Sequence, residues 1–225
     1  LITGPLQDGT ELTNLEAVME YYAVTAADGI VVEGSDSNYL FPAPINLLPE
    51  YGSHEITSPL SEGGYYMCLP LAQGLIVGEA PRDTVSVTEL LTTSDSAYSK
   101  LSGYTMSTYE KEDGDIDGPF ALAVAITETL EDGGETDIIW VSSAYLLDDS
   151  TNASISGGNE DFFLNCINWL CGSESGISIH AKSLSTEYLT ISSGTSSMLT
   201  MLVVGVIPVC FLAAGIVIWV RRKKQ

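Results

Sequence analysis

The run that opens at Leu199 and closes at Val220, LTMLVVGVIPVCFLAAGIVIWV, constrains this chain more than any other stretch. It contains no ionisable side chain except the thiol of Cys210, and Arg221, Arg222, Lys223 and Lys224 follow it at once. A helix rising about 1.5 Å per residue over residues 199–220 crosses the ~30 Å hydrocarbon core of a bilayer. Backbone amides in lipid must pair within their own segment, so a single span has to be helical, and Pro208 is expected to bend it rather than end it. Trp219 stands where an interfacial aromatic anchor belongs. Length, apolarity on every side and the basic end separate this run from the buried helix of a soluble core.

Charge gives an orientation. Only Arg82, Lys100, Lys111 and Lys182 are basic before the span, whereas all 30 acidic residues precede it. Short basic segments beside a span stay on the cytoplasmic side, so the tail 221–225 is expected in the cytoplasm and everything before Leu199 on the outer face of the cell membrane. The formal net charge of −22 argues against nucleic acid and anionic surfaces as partners, because phosphates would be repelled. Apolar content is too high and too evenly spread for disorder, which predicts a folded acidic ectodomain. The organisation expected is an extracytoplasmic domain over 1–181, a juxtamembrane linker over 182–198, the transmembrane helix over 199–220 and the basic tail.

The chain starts at Leu1 in a short apolar run, Leu1-Ile2-Thr3, which stops at Gly4-Pro5 and reads as the end of a strand. Without a signal sequence, an exported domain is expected to be a fragment whose upstream part holds an export signal or an earlier span, leaving the sheet incomplete. Cys166 and Cys171 sit about 140° apart on one helix and are not expected to bond each other; Cys68 pairs with one of them only if the fold brings them together, and the default reading is buried free thiols. Asn152-Ala153-Ser154 is a glycosylation sequon, meaningful only in a eukaryotic secretory pathway.

Along the ectodomain, Leu12, Leu15, Val18, Met19 and Tyr22 recur at helical spacing over 10–22, with Thr10 or Thr13 as a cap. Asp28-Gly29 is a turn before the strand Ile30-Val31-Val32. Prolines 42, 44, 49 and 59 make 34–60 a folded connection without long helix. Strand segments are predicted over 64–78 and 84–93, and an acidic loop over 94–117. Residues 120–126, FALAVAI, and 138–141, IIWV, are continuous apolar strands flanking a turn over 128–137, a pattern that suggests a parallel sheet covered by helices. Residues 159–170 form the clearest helix, with Asn159 as cap and Phe162, Phe163, Cys166, Ile167, Trp169 and Leu170 as its buried face. A last strand is expected over 176–180.

Within the acidic loop, Asp113-Gly114-Asp115-Ile116-Asp117-Gly118 copies the first six positions of a calcium-binding helix-loop-helix. Asp113, Asp115 and Asp117 are therefore the candidate metal ligands. The copy then fails, since the twelfth position is Val124 rather than a bidentate glutamate and Pro119 follows the glycine. His54, in a loop, is read as bonding backbone rather than metal. No nucleotide, dinucleotide, zinc-protease or nucleophile-elbow motif is present, so no cofactor and no catalytic residue is expected. Ser142 and Ser143, after IIWV, are read as a turn or a helix cap.

Several segments together resemble the extracytoplasmic auxiliary subunit of gliding-motility-type (Gld-like) ABC transporters. They are LITGP leading to NLEAVMEYY and DGIVVEG, then SHEITSPL, DGPFALAVAI, IIWVSS, GGNEDFFLNCINWL and ISIHAKSL, and a final span ending in RRKK. They run through most of the chain in that family's order. The resemblance implies a partly parallel α/β ectodomain, amidotransferase-like or flavodoxin-like, held between an early span and the late one. It implies a non-catalytic accessory role beside permease and ATPase subunits, with no ligand residue carried over. Family members often place Gly-Asp where this chain has Ser142-Ser143. Two further readings stand beside it: a surface receptor for carbohydrate or another solute using the aromatic loop between Tyr39 and Tyr66, and an anchored hydrolase using Ser143 or His54.

Overall fold

Residues 121–126 of the strand Ala121–Thr129 are all buried, and the rest of the folded domain is arranged to cover them. A computed structural model describes residues 1–7, 10, 12–79, 82–172 and 193–223. In chain order the folded domain runs α1 (Thr13–Tyr21), β1 (Val24–Ala26), β2 (Ile30–Val32), β3 (Asn46–Leu47), β4 (Glu50–Tyr51), α2 (Ser58–Gly63), β5 (Leu69–Pro70) and β6 (Leu75–Val77). It continues with β7 (Val85–Thr92), β8 (Tyr98–Lys100), β9 (Ile116–Asp117), β10 (Ala121–Thr129), β11 (Glu135–Val141), α3 (Asp149–Ser154) and α4 (Gly158–Leu170).

The main sheet has the order β1-β6-β10-β7-β4, with β11 also paired to β10; β2-β8-β9 and β3-β5 form two smaller sheets. Every ladder is antiparallel. The one parallel contact among the described residues is an isolated bridge between Ile2 and Val141. The partly parallel, amidotransferase-like or flavodoxin-like sheet expected from 120–126 and 138–141 is therefore overturned.

The physical reason lies in the layers rather than in strand direction. On one face of β10, Leu122, Ala123 and Ala125 join a core with Phe162 and Cys166 of α4 and Leu60 of α2. On the other, Ala121, Val124 and Ile126 pack with Met19, Val24 and Trp140, and Leu15 and Tyr22 close over them. A strand covered on both faces is apolar throughout whichever way its neighbours run. Register shifts beside Ala123 let both Leu122 and Ala123 turn toward the first face, as a bulge does.

Other boundaries move as well. The expected turn over 128–137 shrinks, because β10 and β11 pair as far as Thr129 and Glu135. The acidic loop 94–117 contains β8, β9 and a short 3₁₀ turn, Gly103–Thr105, and the proline-rich stretch contains β3, β4 and the start of α2. Helix α1 is entered from Leu12, with no side-chain cap from Thr10 or Thr13. Helix α4 is entered from Gly157 at φ 92°, a left-handed conformation suited to glycine. Asn159 is wholly buried instead of capping: it accepts from the Cys68 amide (3.0 Å) and donates to the carbonyls of Cys68 (2.7 Å) and Leu146 (3.0 Å). Ile167 and Leu170, expected inside, are exposed, as is Cys171, while Cys68 and Cys166 are buried free thiols.

The C-terminal part is helical from α5 (Ser193–Thr200) through a π-helical turn, Met201–Val206, into α6 (Ile207–Lys223). Residues Gly194–Lys223 make one helix long and apolar enough to cross a membrane. It begins inside the expected linker 182–198. The helix continues through Pro208, whose missing N–H would otherwise interrupt the ladder, and the widened turn lies immediately before it. The strand expected over 176–180, most of the linker, and Lys224 and Gln225 lie outside the described residues.

Asn159 supplies the sharpest test of this packing. Asn159→Ala would strand a buried amide and two carbonyls, at a cost of about 2–4 kcal/mol, read as a lower urea midpoint of the detergent-solubilised chain with an unchanged slope.

Candidate functional site

The described residues enclose a cleft of ≈ 660 Å³ where α1, β1 and the Asp28-Gly29 turn face Leu101 and Gly103. Buried Met19, Val24 and Trp140 lie at its base, and exposed Glu16, Glu20 and Asp28 stand around it. The Trp140 Nε1–H donates to Thr3 Oγ1 (2.7 Å), and Gln73, nearly buried, donates through Nε2 to the Ala27 carbonyl (2.9 Å). Among the described residues, no lysine, arginine or histidine lines the space. Such a cleft suits a neutral polar or cationic group, which carboxylates and carbonyls can accept hydrogen bonds from. Sequence reading missed it because its walls come from residues 6–29, 73, 101–103 and 140; the one local sign is the pair Glu16 and Glu20, one helical turn apart.

The candidate metal loop is organised around a lysine. Lys100 has no exposed surface, and its Nζ donates to the Glu110 carbonyl (2.6 Å) and to Glu112 Oε2 (2.8 Å), with Asp115 Oδ2 at 3.5 Å. Asp115 also accepts from the amides of Leu101 (3.1 Å) and Glu112 (2.9 Å). Asp117 pairs with Lys111, and Asp113 is exposed. The three aspartates thus diverge, and among the described residues no group of three or more His, Cys, Asp or Glu is placed to hold a metal ion. The chain wraps an internal ammonium with the oxygen-rich loop that the spacing assigned to calcium. Gly29 completes the enclosure at φ 94°, where a Cβ would fall 2.2 Å from the Lys100 carbonyl.

The ionisation of this pair follows from its contacts. The hydrogen bond to Glu112 holds the Lys100 ammonium above its ordinary range; burial works against that and the Asp115 charge works with it. Burial pushes the Asp115 carboxyl upward, but the amides of Glu112 and Leu101 and the Lys100 charge outweigh it and hold it below the ordinary value.

The serines and the histidine are not brought together. Ser142 Oγ donates to the Leu122 carbonyl (2.9 Å) and Ser143 Oγ to the Pro70 carbonyl (2.6 Å), while the Tyr145 amide donates back to Ser143 Oγ (3.3 Å) in a turn. His54 lies beside α4, its ring edge-on to Trp169 at 5.4 Å, with Nδ1 accepting from the Ile56 amide (3.2 Å). Burial lowers its pKa. The aromatic residues between 39 and 66 do not surround the cleft. Tyr51 is tied to the Tyr65 carbonyl (2.8 Å), whereas Phe41 and Tyr66 are exposed. Asn152 of the sequon exchanges hydrogen bonds with Glu160, donating at 3.0 Å and accepting at 3.2 Å.

No family model and no curated protein matches the chain. A solved structure described as "mmIFT52 N-terminal domain" is similar to it with a TM-score of 0.50 at 16% identity, over 77% of this chain. The match spans 64% of that solved chain. At this identity the likeness concerns the fold alone.

The lysine-centred loop predicts a flat stability plateau. The Asp115 contribution is complete above its unfolded value of 3.8 and is lost as pH falls through the lower folded one. That of Lys100 is complete below 10.5 and is lost as pH rises through the raised folded value. Asp115→Asn should blunt the acid limb of a Tm-versus-pH series. Asp113→Asn should leave the series unchanged, and millimolar calcium should not shift Tm in the parent chain.

Proposed function

We propose that this chain is the membrane-anchored, extracytoplasmic accessory component of a bacterial ABC transporter, acting through contacts with permease and ATPase subunits and performing no chemistry itself. The observation that carries the reading is the apolar helix Gly194–Lys223 with Arg221, Arg222 and Lys223 in its last turn, joined to an acidic folded domain. Basic residues at that end favour a cytoplasmic tail and an outer ectodomain. The Gld-like segments named above support the transporter role. The engaged hydroxyls of Ser142 and Ser143, and the separation of both from the His54 environment, support a protein without a nucleophile and base in register.

Purification in mild detergent tests this. The chain should resist extraction by alkaline carbonate and should elute with a permease and an ATPase. Recovery of the chain alone, from membranes whose other ABC assemblies stay whole, would count decisively against the transporter role. Ser143→Ala and His54→Ala should leave that co-elution intact.

The cleft favours a second reading, an anchored receptor for a small polar solute. Its acidic surround selects diamines or neutral oligosaccharides over anions. A true ligand at a hundredfold its Kd would stabilise the chain by about 2.7 kcal/mol, and Glu20→Gln should reduce that shift for a diamine. Thermal unfolding unmoved by either ligand class would remove this reading.

A further inference from the structure

We propose that the tip of the loop carrying Phe41 and Pro42 rests in the headgroup layer of the same membrane that residues 199–220 cross. The inference rests on reading Gly194–Lys223 as the membrane anchor.

Three observations converge on this contact. The first turn of the anchor is docked to the ectodomain, since the Gly194 amide donates to the Asp36 carbonyl at 2.8 Å. A Cβ on Gly194 would stand 3.6–3.7 Å from atoms of Asp36 and Ser37, an ordinary van der Waals approach. Gly194 precedes Leu199 by five residues, a rise of about 7–8 Å along a helix, so the turn at Asp36 is held close to the start of the apolar span. The loop begins at that turn.

Second, the loop is rigid at its root and apolar at its tip. The Leu40 amide donates to Asn46 (2.8 Å), the Leu48 amide donates to Asn38 (2.7 Å), and Tyr39 bridges Leu47. Leu40 packs on buried Leu48, Cys68 and Ile155. The next side chain, Phe41, is 65% exposed, and Pro42 beside it is exposed too. A phenylalanine so placed loses contact with water favourably only by entering another apolar phase.

Third, charge is missing where it would interfere. In a chain with 30 acidic residues, 37–49 contains no Asp, Glu, Lys or Arg. The run does not stay inside the fold: Phe41 and Pro42 reach solvent. A neutral aromatic tip enters the interface without the repulsion that acidic side chains meet at an anionic leaflet. A protein partner for the same tip would leave it bathed in water when the chain is alone in a bilayer, and that outcome is distinguishable.

The test uses the full chain in phosphatidylcholine nanodiscs with an environment-sensitive fluorophore on single introduced cysteines. Cys171→Ser and Cys210→Ser remove the exposed thiols; Cys68 and Cys166, whose thiols burial pushes up to about 12, stay unlabelled. Label at Phe41→Cys should be quenched by headgroup spin-labelled lipid about threefold more than label at Asp113→Cys, and shielded from iodide. Pro42→Cys should repeat the pattern, and unchanged far-UV ellipticity shows that labelling has not unfolded the chain. If positions 41 and 42 behave like 113 while label at Met201→Cys is quenched deep in the bilayer, the loop contact is wrong and the anchor stands. If 201 is also unquenched, the anchor reading falls and takes the loop contact with it.

Discussion

Burial of β10 on both of its faces is the constraint from which the folded domain follows. The strand carries β7 on one side and pairs with β11 and β6, so its amides and carbonyls are committed to backbone partners. Its side chains then need two separate covers. Helix α1 supplies one through Met19, and helices α2 and α4 supply the other through Leu60, Phe162 and Cys166. Because α4 must seat against both strand and loop, it carries a buried amide, Asn159, that satisfies three backbone groups of Cys68 and Leu146. A polar residue there is inexpensive only because each of its hydrogen bonds is made.

A comparable economy governs the loop around Lys100. A lone ammonium in the interior would lose its hydration without compensation. Here Glu112, Asp115 and the Glu110 carbonyl replace that hydration, and the loop 110–117 gains a fixed point to fold upon. The same oxygen-rich composition that would suit a divalent cation is satisfied by a cation already on the chain.

Period-based reading found α1, α4, β2, β10 and β11 as elements, because each buries a stripe or a run that local spacing reveals. Pairing direction escaped it. FALAVAI and IIWV are apolar throughout since helices lie over both sides, and that condition is the same for parallel and antiparallel neighbours. Asn159 fits the rule for a helix cap, yet it stands two residues past the Gly157 cap, where its amide serves Cys68 and Leu146 instead of the helix end. The aspartates at 113, 115 and 117 have metal-like spacing, but the partner of Asp115 lies at position 100, beyond any local motif. The cleft is harder still, drawn from four separated parts of the chain. Its only local trace is the acidic pair on α1.

Arg82 is paired with Glu128 and stacked on Tyr21, Lys100 is enclosed, and Lys111 holds Asp117. Lys and Arg side chains described ahead of the apolar helix therefore each have an anionic neighbour already, and acidic residues far outnumber basic ones in the sequence. Two copies held in one bilayer would repel each other through their like net charge of −22. Their closest lateral spacing becomes a property of the surrounding electrolyte, shrinking as salt shortens the ~8 Å Debye length.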